Sequence, residues 1–156
     1  TIHTKTMGAM NLGYDLDNFN NAIKLLRANN INVVVHIING LPNETKKMML
    51  DTSKYLNVLD IQGIKIHMLH IIKNTPLAKL YLKSPWPLLT KTEYLNLVTE
   101  QLANLNESIV IHRLTGDAKL DDLIEPKWTI KKAGIINDID KLMVQKGYYQ
   151  GIKKEV

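Results

Sequence analysis

Ile31-Asn32-Val33-Val34-Val35-His36-Ile37-Ile38-Asn39-Gly40-Leu41-Pro42 is the stretch that decides the fold. Residues 31–38 form an almost continuous apolar run with three successive valines, which predicts a strand buried on both faces of a parallel sheet. Asn39-Gly40-Leu41-Pro42 stops it in a sharp turn. On the near side, residues 15–29 predict an amphipathic helix, because Phe19, Ala22, Ile23 and Leu26 recur at helical spacing. Asp15 or Asp17 caps its start and Asn29-Asn30 closes it. On the far side, Asn43-Glu44-Thr45 leads into a helix to about residue 59, with Met48, Met49, Tyr55, Leu56 and Leu59 along one stripe. Gly63-Ile64-Lys65-Ile66-His67-Met68-Leu69 alternates and is rich in β-branched residues, so it reads as a second strand. Strand, helix and strand make a βαβ unit, right-handed by the usual rule.

Further along, residues 76–82 predict a short helix and Ser84-Pro85-Trp86-Pro87 a rigid loop. Residues 92–105 predict a helix bearing Tyr94, Leu95, Val98, Leu102 and Leu105, capped at Thr90 or Thr92. A third β-like run covers residues 108–114 and passes into Thr115-Gly116-Asp117-Ala118. The last helix, roughly residues 129–146, ends at Gly147. The plain expectation is an α/β unit that is part of a larger wound or barrel sheet, since two or three buried parallel strands need neighbours on both sides. Edges left open predict homodimerisation as one way of covering them.

Composition narrows the function classes. A chain of 156 residues, 45% hydrophobic and 22% charged, is a soluble, core-forming chain by its averages. It holds no cysteine, which excludes a disulfide scaffold, a zinc ribbon or a self-contained iron–sulfur site. No apolar run approaches the roughly 18 to 20 residues needed to span a bilayer, and Thr1-Ile2-His3-Thr4-Lys5 is no signal peptide, so the expected location is cytoplasmic. A first residue other than Met suggests a piece of a longer protein. The net charge of +5 and pI near 9.3 suit a polyanionic partner such as RNA, or equally a Lys- and Asn-rich solvated surface.

His36-Ile37-Ile38-Asn39-Gly40-Leu41-Pro42-Asn43-Glu44-Thr45 resembles the Gly-Leu-Pro-x-Glu-Thr turn after the fifth strand of the radical S-adenosylmethionine (SAM) barrel. The segment from Gly63 through Lys65, His67, Leu69-His70 and Lys73 to Thr75-Pro76-Leu77 resembles the sixth-strand segment of the YhcC-like branch of that superfamily, related to the catalytic subunit of Elongator. Upstream, Thr6-Met7-Gly8-Ala9-Met10-Asn11-Leu12-Gly13-Tyr14-Asp15 is similar to the stretch after the fourth strand, with Met7 and Leu12 departing from the pattern. Downstream, His112-Arg113-Leu114-Thr115-Gly116-Asp117-Ala118 is similar to the family's His-Arg segment.

The resemblance implies the C-terminal part of a (β/α)6 partial TIM barrel, with residues 1–83 its second half and 84–156 a C-terminal α/β extension. It implies SAM and a [4Fe–4S] cluster held by Cys-x-x-x-Cys-x-x-Cys, and 5′-deoxyadenosyl radical chemistry on an unknown substrate, RNA or tRNA being the first expectation. Those cysteines are absent from this stretch, so the chain alone is expected to be inactive.

The candidate SAM-side residues are His36, Ile38, Gly40, Leu41, Pro42, Met68 and Leu69. Gly40 and Pro42 bring backbone close to a ligand at a strand's carboxy end, or make a plain tight turn. Ile38, Met68 or Leu69 meets adenine, or packs in the core. His36 hydrogen-bonds a ribose hydroxyl, or is satisfied as a core histidine. Lys65 points away from Ile64 and Ile66, and facing a barrel interior it would need a carboxylate or an anionic ligand. His67 shares its side, and with His70 and Lys73 makes a candidate substrate phosphate or carboxylate pocket. His112 and Arg113 contact the site's mouth or a nucleic-acid phosphate, or form an ordinary polar strand end.

No metal site is expected, because the histidines lack ligand spacing. The reading from a different class is a non-catalytic α/β binding domain for a phosphorylated ligand or nucleic acid. Against it stand the lack of a Gly-rich loop after the first strand and an aromatic content of only 6%; for it stands the basic stripe Lys127, Lys131 and Lys132.

Overall fold

Four of the six α-helices among the described residues start at a short oxygen-bearing side chain. In the computed structural model, which describes residues 1–153, Asp15 accepts from Asn18 N at 2.8 Å and opens α2 (Leu16–Ala28), which follows the short α1 (Thr4–Ala9). Thr45 caps α3 (Lys46–Tyr55), Thr75 caps α4 (Pro76–Lys83), and Thr90 with Glu93 forms a full capping box on α5 (Lys91–Asn104). Each such cap is worth on the order of 1 kcal/mol. The last helix, α6 (Lys132–Gln145), has no side-chain cap and ends before Gly147, whose φ is 64°.

The strands are β1 (Val34–Asn39), β2 (Gly63–Met68), β3 (Ile71–Ile72), β4 (Val110–Arg113) and β5 (Leu123–Glu125). The first, second and fourth form a parallel sheet in the order β1-β2-β4, and β3 pairs antiparallel with β5 in a separate two-stranded ribbon. Parallel pairing of β1 with β2 through α3 is the expected βαβ unit.

Packing is one-sided. Val35, Ile37, Ile64, Ile66 and Met68 point to the helices, where Tyr94, Val98, Leu102, Leu105, Ile135 and Ile139 meet them. Helix α5 lies against both α3 and α6. Ile64 and Ile66 are fully buried, each worth roughly 1.5–3 kcal/mol of apolar transfer. This core draws on residues from both sides of position 83. A second cluster, Leu41, Leu69, Ile71 and Ala78, lies under Leu77, Tyr81 and Trp86.

The opposite face of the sheet is open, which corrects the expectation of a strand buried on both faces. Along β1, burial alternates, and Ile38 is 40% exposed. Ile31 and Asn32 lie before the strand and are exposed. The run was apolar throughout, but only one of its faces is covered by helices of this chain. Among the described residues, no helix is long and apolar enough to cross a membrane.

Candidate functional site

The open face collects charged and aromatic residues of the strands, by parity in β1 and β2 and through a register shift in β4. In the β1–β2 register His36 stands beside Lys65 and Ile38 beside His67. In the β2–β4 register Lys65 stands beside Arg113, after a shift between Ile64 and Lys65 that skips a residue of β4. Neighbouring strands are about 4.8 Å apart, so His36, Lys65 and Arg113 form a basic row across all three. The rings of His36 and His67 meet edge to face, 5.6 Å between centroids.

The carboxy end of β1 is held firmly. Asn39 and Gln101 exchange amide hydrogen bonds at 2.8 and 3.0 Å, and Gln101 also donates to Met49 O at 3.1 Å. Asn39 O accepts from Leu69 N at 2.8 Å, and Gly40 N approaches Met49 Sδ at 3.1 Å. Gly40 has φ 86°, a conformation open chiefly to glycine, and Leu89 Cδ1 would lie 3.3 Å from a Cβ placed there. Leu41 and Leu69 pack beneath the turn in the second cluster, both nearly buried.

Electrostatically the face favours neutral imidazoles. Partial loss of hydration, then the cations of Lys65 and Arg113, holds the His36 ring below its ordinary 6.5 even though the side chain is exposed. Burial lowers His67, followed by its neighbours His36, Arg113 and Lys65. Burial, His67 and Lys132 lower His70. The Nε2 atoms of His67 and His70 are buried with no hydrogen-bond partner, as is Trp86 Nε1. An unpaired buried polar atom is costly, and its pairing with a bound ligand removes the cost.

The structure brings together only part of the expected site. His36, Ile38, Lys65, His67 and Arg113 share the open face. Met68 does not: its side chain belongs to the helix side, 3% exposed, and its sulfur accepts from Gly116 N at 3.2 Å. Parity places it with Ile64 and Ile66, on the opposite side of the sheet from Ile38. Lys73 also stands apart, bonded through its amine to Asp121 O and through its backbone N to Asp122 O beside the β3–β5 ribbon. His70 packs on Gly116, where a Cβ would lie 2.8 Å from its ring. His112 covers Gly63, whose added Cβ would meet the ring at 2.5 Å, at the amino end of β2. Pro42 lies in the turn, half-buried.

Sequence reasoning gave Asp117 no role and named Lys132 only within a basic stripe, not as its partner. Asp117 pairs with Arg113 at 3.1 Å and with the ammonium of Lys132, tying the end of β4 to the start of α6. The i,i+4 spacing of Arg113 and Asp117 was the only available signal, and it says little outside a helix.

Residues 61–145, more than half of the chain, match the Radical_SAM C-terminal domain family. The chain is 38% identical over 151 residues to an uncharacterized protein YtqA of Bacillus subtilis, covering 97% of this chain and 47% of that protein. It is 32% identical over 154 residues to an uncharacterized protein MJ0486 of Methanocaldococcus jannaschii (98% and 48%), and 26% identical over 147 residues to protein YhcC of Escherichia coli (94% and 48%). The chain thus spans about half the length of the curated relatives it matches. Among solved structures, the archaeal Methanocaldococcus infernus Elp3 with an N-terminal deletion superposes with a TM-score of 0.86 at 16% identity, covering 96% of this chain and 35% of that one. At that identity the likeness is one of fold.

Proposed function

The chain belongs to the Radical_SAM C-terminal domain family, and from that membership we propose that it is the substrate-side portion of a radical SAM enzyme whose open sheet face lines the reaction chamber. The observation that carries this is the one-sided sheet: helices cover one face, while the other carries an exposed apolar residue, Ile38, amid His36, Lys65, His67 and Arg113. Sites of wound and barrel α/β folds lie at the carboxy ends of the strands, and that is where Ile38, Gly40 and His67 stand.

The residues suit SAM and exclude the cluster's ligands. Ile38 offers an exposed aliphatic surface to a nucleoside base, His36 an imidazole within the same face, and the Gly40–Pro42 turn a close backbone. Leu41 and Leu69 support that turn from beneath. With no cysteine in the chain, thiolates for a [4Fe–4S] cluster would come from elsewhere in the protein. Bound together, SAM and the cluster supply one-electron chemistry that removes hydrogen from a substrate, while the protein orients the reactants. RNA is the substrate class we favour, supported by the net charge of +5 and by the basic row on the open face.

The gene tests this directly. We expect Cys-x-x-x-Cys-x-x-Cys within roughly 150 to 200 codons, about one further domain, on the 5′ side of the codon for Thr1. A gene without those cysteines overturns the proposal.

A further inference from the structure

Resting on the function just proposed, we infer that the open face grips a terminal phosphate monoester of the substrate, the group an RNA end carries, between Lys65 and Arg113, with His67 Nε2 donating a hydrogen bond to it. Three observations converge on this.

The first is placement. Lys65 and Arg113 are register partners on adjacent strands, and His67 follows Lys65 by two residues on the same face. Three donors thus surround one patch of sheet, Lys65 and Arg113 about one strand spacing apart and His67 two residues, roughly 6.6 Å, along β2 from Lys65, in number matching the three free oxygens of a phosphate monoester.

The second is unmet bonding capacity. The Lys65 ammonium makes no hydrogen bond or ion pair among the described residues, although the residue is only partly exposed. His67 Nε2 has no partner there either, and because it is covered in the free chain, a ligand oxygen reaches it only once a neighbouring side chain turns aside. A neutral imidazole with its proton on Nε2 is a donor without an acceptor, and a bound oxyanion supplies one.

The third is charge. Lys65, Arg113 and Lys132 face a single carboxylate among their ion-pair partners, Asp117, which both Arg113 and Lys132 already share. Two positive charges remain, the complement of a phosphate dianion; a carboxylate would leave one unmatched. Arg113 is half exposed and its pair with Asp117 is a surface one of small net worth, so turning toward a ligand costs it little. Arginine is suited to meet two phosphate oxygens at once.

The test uses the ¹⁵N-labelled intact protein titrated with inorganic phosphate near neutral pH at constant ionic strength, reading imidazole nitrogens by long-range ¹H–¹⁵N spectra. The His67 signal, assigned by its loss in His67→Gln, should move saturably while His3 stays still. Lys65→Met and Arg113→Gln should each weaken the apparent affinity by about tenfold, the equivalent of about 1.4 kcal/mol. Acetate should bind at least about tenfold more weakly than phosphate, by the same measure. Arg113→Gln alters an exposed side chain, so it reports even if Lys65→Met disturbs folding. A His67 signal that does not saturate, affinity unchanged in Arg113→Gln, or equal response to acetate overturns the inference. Phosphate binding needs neither cluster nor SAM, so its failure is distinct from failure of SAM cleavage.

Discussion

Asn39 and Gln101 exchange side-chain hydrogen bonds in both directions across 62 residues of sequence, each amide serving as donor and acceptor, and both side chains are buried. This pair fastens the carboxy end of β1 to α5, and through Met49 O to α3. The turn that opens the candidate site is thereby fixed from the helix side. Replacing Gln101 by Leu leaves the Asn39 amide buried without partners, and should lower stability in urea by about 1–3 kcal/mol. The double variant Asn39→Leu, Gln101→Leu should lose clearly less than the sum of the single losses, the mark of a direct coupling. Additive losses would show that the pair does not act as a unit.

Gly40 and Gly134 should respond oppositely to alanine. At Gly40 the positive φ and the nearby Leu89 methyl disfavour a Cβ, so Gly40→Ala should cost about 1–3 kcal/mol. Gly134 lies within α6 with nothing within 4 Å of an added Cβ. There alanine should add about 0.5–1 kcal/mol through helix propensity. Thermal unfolding of the two variants beside the parent checks both signs.

Tyr94 is fully buried, donates to Leu114 O at 2.9 Å, and lies within reach of Ile66 O at 3.4 Å. Burial drives its phenol well above the ordinary range, so it remains a protonated donor at any working pH. Tyr94→Phe should keep the packing against Trp128 and lose about 0.5–1.5 kcal/mol, measurable as a lower urea midpoint with unchanged slope.

Acid should weaken this fold through its histidines. His36, His67 and His70 are all held below their ordinary 6.5, so the unfolded chain binds more protons than the folded one once pH falls beneath that value. Their neutral forms are free of penalty above about 6.5, and stability is lost progressively as pH drops from there toward the depressed folded values. The titratable groups facing His67 are the imidazole of His36 and the cations of Arg113 and Lys65. His67→Gln should therefore flatten the fall in unfolding free energy between about pH 6.5 and 5. An unaltered slope would contradict the assignment.

The fold was legible where period and punctuation were strong. Alternation in Gly63-Ile64-Lys65-Ile66-His67 separated core from open face correctly, because a strand's two-residue period fixes side-chain direction whatever covers the sheet. The turn at Gly40 and the helix ends at Thr90 and Gly147 were likewise readable from local chemistry. Coverage was not: the apolar run through Val34 and Ile38 gave no sign that one of its faces would lie open. The β3–β5 ribbon escaped because two residues, Ile71-Ile72, carry no period, and its partner lies some fifty positions on. Lys73 follows that ribbon away from Lys65, and Met68 falls on the helix side at the strand's end. Asn39–Gln101 and Arg113–Asp117–Lys132 depend on tertiary approach, which single-chain patterning does not encode.

The proposed role of this chain is the substrate side of a radical SAM enzyme. Its most direct test is anaerobic assay of the complete gene product, reconstituted with iron and sulfide, reduced with dithionite and supplied with SAM, for 5′-deoxyadenosine. 5′-Deoxyadenosine should form with the complete product and not with the 156-residue chain alone, and Ile38→Asp in the complete product should reduce it at least about tenfold, or about 1.4 kcal/mol. A complete, cluster-loaded product that leaves SAM intact would contradict it.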